Sequence, residues 1–161
     1  LNNTQLKMNR FIVALITILF LSHNVMGENV IVGERLPDMS VRKWLMDTQP
    51  TSAEYTCILF YHSESNLCQQ SLETIKQYMA SHDKLLNLII ITKEEYSRAG
   101  VTLTRHLGDY TGVAFDDNGR TFRYFGVKYI PFCVISRKNR AVWCGNGNLL
   151  NNKILDKILI Q

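Results

Sequence analysis

The chain has 161 residues, of which 46% are hydrophobic and 20% are charged. This is the composition of a globular protein, and 9 Gly and 3 Pro are too few for a collagen-like or low-complexity chain. The formal net charge of +4 comes from scattered residues that form no basic stripe, so we expect no nucleic-acid partner.

The N-terminal segment has the order of an export signal. Met8 and Arg10 precede an apolar run from Phe11 to Leu21, and the small residue Gly27 follows at a plausible cleavage point. A membrane-spanning helix needs roughly 20 apolar residues, about twice the length of this run. We therefore interpret residues 1–7 as upstream or cloning-derived, 8–27 as a signal peptide and 28–161 as one folded domain. We expect membrane contact only through the signal, if it is not cleaved.

The first half of the domain predicts a parallel α/β unit. Thr56 to Tyr61 is a continuous run of β-forming apolar residues, which indicates a central strand buried on both faces. Helical spacing follows from about Ser65 to His82, then a second buried strand from Leu85 to Thr92 and a helical segment from Glu94 to about His106. Alternation of strand and helix is typical of parallel sheets.

The second half predicts an antiparallel hairpin and a closing helix. Phe132 to Ile135 and Ala141 to Cys144 are short apolar runs separated by a polar turn, in which Asn139 suits a positive φ angle. The predicted fold is therefore α/β, with a mixed central sheet and helices on both faces. Shorter predicted elements are an outer segment of undetermined type at Val41 to Leu45, a strand at Val113 to Phe115, a brief helix at Arg120 to Phe125 and a final amphipathic helix after Leu149.

The first candidate functional residues lie between the predicted central strand and the helix that follows it, in the segment Ser65-Asn66-Leu67-Cys68. Open α/β sheets place their sites at such points, and a helix N-terminus favours a thiolate. A later segment, Gly126 to Pro131, precedes the hairpin. Together with Gly33 to Asp38 and Val142 to Gly145, this order of segments resembles the thioredoxin superfamily, in particular the exported TlpA/ResA-like thiol-disulfide oxidoreductases.

The resemblance implies a thioredoxin-like fold with an incomplete active site. In that family the motif is Trp-Cys-x-x-Cys, and here Ser65 takes the first cysteine position and Cys68 the second. A hydroxyl cannot perform disulfide exchange at neutral pH without a strong base, so the usual two-thiol cycle is not available. The resemblance also implies that Pro131 is cis, and that Tyr129, Ile130 and Pro131 contact a client protein.

Three interpretations of Cys68 remain open. Ser65 can be a simple N-cap with Cys68 a half-buried helix residue, in a structural or client-binding module. Cys68 can instead act as a monothiol toward protein or small-molecule thiols and disulfides. The third interpretation is a peroxiredoxin-like thiol peroxidase, because Ser65-x-x-Cys68 matches the last half of the Pro-x-x-x-Thr/Ser-x-x-Cys motif, although Tyr61 stands where the proline should be.

Other candidate residues carry weaker signals. His62 lies close enough in sequence to modulate a thiol, or it is an ordinary surface histidine. Cys133 and Cys144 fall on the two strands of the hairpin, and a turn centred on Lys138 pairs Cys133 with Trp143, so we expect no disulfide between them.

The remaining expectations concern ligands, assembly and location. The four histidines are far apart and no two cysteines have zinc-ligand spacing, so we expect no metal. We expect no cofactor, since the sequence has no phosphate loop or dinucleotide fingerprint. We expect a monomer in the periplasm or another extracytoplasmic compartment.

Overall fold

The computed structural model describes residues 29–160, so the predicted signal peptide lies outside the described residues. A six-stranded mixed sheet forms the centre of this part of the chain. Its strands are β1 (Lys43–Trp44), β2 (Tyr55–Phe60), β3 (Leu86–Thr92), β4 (Thr111–Phe115), β5 (Phe132–Arg137) and β6 (Arg140–Asn146). They lie in the order β1-β4-β3-β2-β5-β6, in which β2, β3 and β4 are parallel neighbours, whereas β1, β5 and β6 pair in antiparallel fashion. The predicted fold class is confirmed.

Between residues 29 and 160, four α-helices connect or follow these strands. The predicted helix from Glu94 to His106 is shorter than expected, because it begins at Tyr96 and ends in a 3₁₀ turn at Thr104–His106. Within residues 29–160, no helix is both long and apolar enough to cross a membrane. The helices are α1 (Asn66–Ser81), α2 (Tyr96–Leu103), α3 (Arg120–Tyr124) and α4 (Asn152–Leu159), and further 3₁₀ turns lie at Leu45–Asp47 and Gly147–Leu149.

Alternate side chains of β2 fill two separate cores, one on each face of the sheet. Cys57 and Leu59 point into the core that packs against α1, α2 and α4. Ile58 and Phe60 point into the core that packs against α3 and the segment from Val30 to Trp44. Because both faces are covered, every residue of the strand from 57 to 60 must be apolar, which is why the sequence shows a continuous run and no alternation. Full burial of each such side chain contributes about 1.5–3 kcal/mol.

The hairpin of β5 and β6 corrects one expectation about register. The turn consists of Lys138 and Asn139, both with positive φ angles, of 50° and 59°. Such a two-residue turn matches the twist of the strands that it joins. A bulge between Ile135 and Ser136 then shifts the pairing again.

Cys133 consequently pairs with Gly145, and not with Trp143 as the sequence predicted. The partner of Cys133 is thus two residues later than predicted. One residue of this shift arises because the turn is centred between Lys138 and Asn139 and not on Lys138, and the other arises from the bulge. A shift of two residues preserves the faces of a strand. Cys133 therefore points into the first core while Cys144 packs against the second, and both are free thiols.

Candidate functional site

The end of β2 and the start of α1 form the centre of the candidate site. Ser65 has an extended backbone and precedes the first residue of α1, and its hydroxyl accepts a hydrogen bond from the backbone N–H of Cys68 at 3.3 Å. A serine in this position satisfies one of the free N–H groups of the first helical turn. The sequence-predicted Ser65 is thus the N-cap of the helix.

The thiol of Cys68 is sealed inside the protein. Its side chain is 0% exposed and belongs to the same core as Leu72 and Ile75, which follow it on the same face of α1. Residues four and seven positions apart share a helix face, so the spacing alone places Cys68 with these two apolar side chains. The structure therefore presents a buried thiol beneath a capped helix end.

The loop before β5 lies beside this helix end. The peptide bond between Ile130 and Pro131 is cis, and Pro131 is buried. The carbonyl of Pro131 accepts a hydrogen bond from the N–H of Gly147 at 3.0 Å. Tyr129 is 49% exposed, and its ring meets the ring of Phe132 edge-on with 5.7 Å between centroids. The loop thus presents one aromatic side chain to the outside and anchors its proline inside.

Gly147 brings α1 and the proline loop together. A β-carbon placed on Gly147 would lie 3.1 Å from the hydroxyl of Ser71 and 3.2 Å from the β-carbon of Pro131. Ser71 follows Cys68 by three residues on α1, and its hydroxyl lies 3.0 Å from the carbonyl of Leu67. The helix that carries the motif and the proline loop therefore meet at Gly147, at one end of the sheet.

A groove beside the loop is one of the concave parts of this region. It has a volume of about 260 Å³ and is lined mostly by apolar and aromatic side chains, together with His62 and two lysines. The ammonium of Lys93 is held 4.6 Å from the centre of the Phe122 ring. We call it the Tyr129 groove, and its lining consists of Tyr61, His62, Lys93, Phe122, Val127, Lys128, Tyr129 and Ile130.

Solved structures of known proteins share this architecture. The chain is similar to a thiol peroxidase from Chromobacterium violaceum, with a TM-score of 0.66 and 16% identity over 84% of this chain and 90% of that one. It is also similar to a thioredoxin-like protein solved in its oxidised form, with a TM-score of 0.65 and 15% identity over 79% and 95% of the two chains.

A thiol-disulfide isomerase from Corynebacterium glutamicum matches with a TM-score of 0.60 and 14% identity over 80% of this chain and 98% of that one. The chain has a thioredoxin-like fold. No protein-family model matches it, and the search of curated proteins found no match.

Within this thioredoxin-like fold, the site contains a buried carboxylate that the sequence analysis did not identify. The side chain of Glu94 accepts hydrogen bonds from the backbone N–H of Ser63 at 2.9 Å, from the hydroxyl of Ser63, and from the hydroxyl of Thr92 at 3.1 Å. Burial alone raises its pKa, but these hydrogen bonds and the nearby His62 outweigh burial, so the pKa of Glu94 is lowered. Glu94 is therefore an ionised group that fixes the loop after β2.

A sequence signal for this contact existed. Strands β2 and β3 are parallel neighbours, so the residues that follow them emerge at the same edge of the sheet. Ser63 follows the predicted strand from Thr56 to Tyr61 by two residues, and Glu94 follows the predicted strand ending at Thr92 by two residues. Assigning Glu94 to the next helix concealed this relationship.

His62 contacts the same network without forming a close ion pair. Its Nδ1 accepts a hydrogen bond from the backbone N–H of Glu64 at 3.2 Å and lies 3.9 Å from a carboxylate oxygen of Glu94. His62 therefore lies between the backbone of the loop after β2 and the carboxylate of Glu94.

Two further observations bear on possible ligands. Burial raises the pKa of Tyr61 to about 12, so its phenol stays neutral in the lining of the Tyr129 groove. In the part of the chain between residues 29 and 160, no cluster of three or more His, Cys, Asp or Glu side chains is arranged to hold a metal ion.

Proposed function

We propose that this chain is an exported thioredoxin-fold protein of extracytoplasmic thiol-disulfide handling that binds client polypeptides without a two-thiol cycle. The observation that carries the proposal is that Ser65, and not a cysteine, caps α1 beside the cis-proline loop. The serine hydroxyl is a poor nucleophile at neutral pH, so the site keeps a binding surface and lacks the attacking thiol.

The burial of Cys68 supports a redox-inactive binding module over a monothiol. A monothiol must reach the sulfur of its partner as a thiolate, which requires exposure as well as a suitable pKa. The Cys68 side chain is 0% exposed, and neither it nor Ser65 lines the Tyr129 groove. The same burial counts against a peroxidase, because hydrogen peroxide must reach the sulfur of the reactive cysteine.

The Tyr129 groove supplies the binding surface of this proposal. Phe122, Val127 and Ile130 offer apolar contact, and the half-exposed ring of Tyr129 can cover a bound backbone at small entropic cost. Lys93 and Lys128 also line the groove and carry positive charge. The favoured client is thus an extended apolar segment that carries carboxylates, because buried apolar area supplies affinity and the lysines supply charge complementarity.

Export of the chain is supported by the signal-like segment from Met8 to Gly27. Fusing residues 8–27 to alkaline phosphatase, an enzyme active only outside the cytoplasm of a bacterial host, tests this part. We expect active phosphatase in cells that carry the fusion. Activity no higher than that of a fusion with Arg10 and the apolar run deleted contradicts export.

A mass measurement tests the chemistry. The native protein, incubated at neutral pH with a small-molecule disulfide, should carry no adduct on Cys68, whereas the denatured protein should. An adduct on native Cys68 overturns the redox-inactive module in favour of a monothiol. Consumption of hydrogen peroxide with sulfenic acid on Cys68 overturns it in favour of a peroxidase.

A titration tests the binding surface. A fluorescent peptide of alternating apolar and acidic residues should bind the native protein saturably, and a peptide with the acids replaced by amides should bind about tenfold more weakly. The double variant Lys93→Glu with Lys128→Glu should lose binding of the acidic peptide, while Lys153→Glu on α4, a change of the same charge type, should keep it. Equal binding by all three proteins contradicts the assignment of the groove.

A further inference from the structure

Two buried thiols lie side by side in the core beneath the candidate site. The sulfurs of Cys57 and Cys133 are 3.2 Å apart, and both side chains are 0% exposed. Cys57 belongs to β2 and Cys133 to β5, the two central antiparallel neighbours of the sheet. Neither residue takes part in the client binding proposed above.

The register explains why these two side chains meet. Cys57 pairs with Ile135 and Leu59 pairs with Cys133, so the two cysteines are diagonal neighbours on the same face. Diagonal neighbours in an idealised pair of strands lie about 7–8 Å apart, which is beyond the limit of about 7 Å between α-carbons that a disulfide can bridge without backbone movement. Strand twist can bring diagonal partners closer, and the 3.2 Å contact shows that here the sulfurs already touch.

We propose that Cys57 and Cys133 form an internal disulfide, with a small-molecule or protein disulfide as the oxidant. The thiolate of Cys57 attacks one sulfur of the oxidant, forming a mixed disulfide and releasing the first thiol. Cys133 then attacks the sulfur of Cys57 and releases the second thiol. The two cysteines lose two electrons and two protons, and the external disulfide is reduced to two thiols.

The burial of the pair dictates when this exchange occurs. Burial raises the pKa of Cys133 well above its usual value, and the hydrogen bond with Cys57 raises it further. A thiol in that environment is not an attacking thiolate in the closed protein. Exchange therefore takes place while β5 is still separated from β2, during folding or during an opening of that strand pair.

A disulfide between Cys57 and Cys133 would join the two strands that lead into the candidate site. Strand β2 leads directly into Tyr61 and His62, and β5 begins at Phe132, directly after Pro131. A covalent bond between these strands limits how far the cis-proline loop can separate from the end of β2. Oxidation would thus restrain the Tyr129 groove without adding any group to its surface.

Refolding under two redox conditions tests the proposal. The full chain is refolded either with reduced and oxidised glutathione or with excess reductant, and free thiols are then alkylated under denaturing conditions for mass measurement. We expect the glutathione sample to retain two alkylated thiols, at Cys68 and Cys144, and to yield a linked peptide that contains Cys57 and Cys133. The reduced sample should be alkylated at all four cysteines.

Matched variants and a second measurement complete the test. Cys57→Ala should abolish the link, while Cys68→Ala and Cys144→Ala should retain it. Hydrogen exchange of residues 129–137 should be slower in the oxidised wild-type protein than in the reduced protein. Four alkylated thiols after glutathione refolding, a link through Cys68 or Cys144, or a glutathione adduct left on Cys57 overturns the proposal, and each is visible in the wild-type protein alone.

Discussion

The hydroxyl of Ser65 accepts the backbone N–H of Cys68 at 3.3 Å, and this contact joins the two positions at which the resembled family carries its cysteines. The geometry that caps α1 is therefore the geometry that would hold a dithiol across the same helical turn. The first position lies before the helix, and the second turns inward among Leu72 and Ile75. The site therefore differs from a dithiol site in one atom, because Ser65 carries a hydroxyl oxygen where the family carries the attacking sulfur.

Replacing Ser65 with cysteine is expected to restore disulfide chemistry. A thiol at the helix N-terminus has a lowered pKa because free N–H groups stabilise the thiolate, and Cys68 stands in position to resolve a mixed disulfide. Ser65→Cys should reduce the disulfides of insulin in the presence of a thiol reductant, measured as turbidity, at a rate at least tenfold above wild type.

The control for this gain is the combination of Ser65→Cys with Cys68→Ala. It should form a stable mixed disulfide with the substrate and show no turnover. A second variant, Ser65→Ala, removes the cap and should lower the free energy of unfolding by about 1 kcal/mol without any gain of activity. An inert Ser65→Cys protein that folds normally would show that the surroundings of Cys68 no longer support exchange.

Gly147→Ala is expected to disturb the contact between α1 and the proline loop. The new β-carbon would lie 3.1 Å from the hydroxyl of Ser71 and 3.2 Å from Pro131, closer than ordinary van der Waals contact. Overpacking of this kind costs about 1–3 kcal/mol, measured as a lower midpoint in urea unfolding. Gly108→Ala is the matched control, because its β-carbon would meet nothing within 4 Å. Equal midpoints for the two variants would refute the close packing.

Local patterns made the architecture predictable. The strand from Tyr55 to Phe60, the helix from Asn66 to Ser81 and the strand from Leu86 to Thr92 each have an apolar run or a helical period that fixes their type. The register of the hairpin was not predictable, because the bulge beside Ile135 depends on pairing energies that no local pattern records. A turn of two residues and a turn of three fit the same apolar runs equally well.

The relative placement of the candidate residues was predictable, and their contacts were less so. The order of segments predicted that Ser65, Cys68 and the Pro131 loop lie at the same end of the sheet, and the pairing of Phe60 with Phe132 places them there. The hydrogen bonds between Ser63 and Glu94 were missed because Glu94 was assigned to the next helix, although the ends of two parallel strands meet at this edge of the sheet. The contact of Cys57 with Cys133 was missed because it follows from the diagonal pairing of two strands.

Thr121→Val is expected to stabilise the protein. Thr121 is 0% exposed, and its hydroxyl has no hydrogen-bond partner among residues 29–160, whereas its backbone N–H donates to Asp116. Removing an unsatisfied buried hydroxyl while keeping the shape of the side chain should raise the free energy of unfolding by about 1 kcal/mol, seen as a higher thermal midpoint. Thr121→Ser keeps the hydroxyl and removes the methyl group, so it should lower that midpoint. A lower midpoint for Thr121→Val would indicate that the hydroxyl has a partner.

Glu94→Gln is expected to change both the stability and its dependence on pH. The carboxylate accepts hydrogen bonds from Ser63 and Thr92 that the amide reproduces only in part, so the loss at neutral pH should be about 1–3 kcal/mol. The folded-state pKa of Glu94 lies below its ordinary value of 4.5. Its contribution to stability is therefore complete above the pKa of the unfolded chain and is lost as the pH falls through the lower, folded pKa.

Urea unfolding of wild type and Glu94→Gln at several pH values measures this contribution. The gap between the two proteins should be widest near neutral pH and should shrink below pH 4.5, because the wild type then gives up the charge that the variant never had. Glu95→Gln is the matched control, since that neighbouring carboxylate is exposed and should produce a small gap at every pH. A gap for Glu94→Gln that stays constant with pH, or widens in acid, would mean that the Ser63 and Thr92 hydrogen bonds do not favour the ionised form.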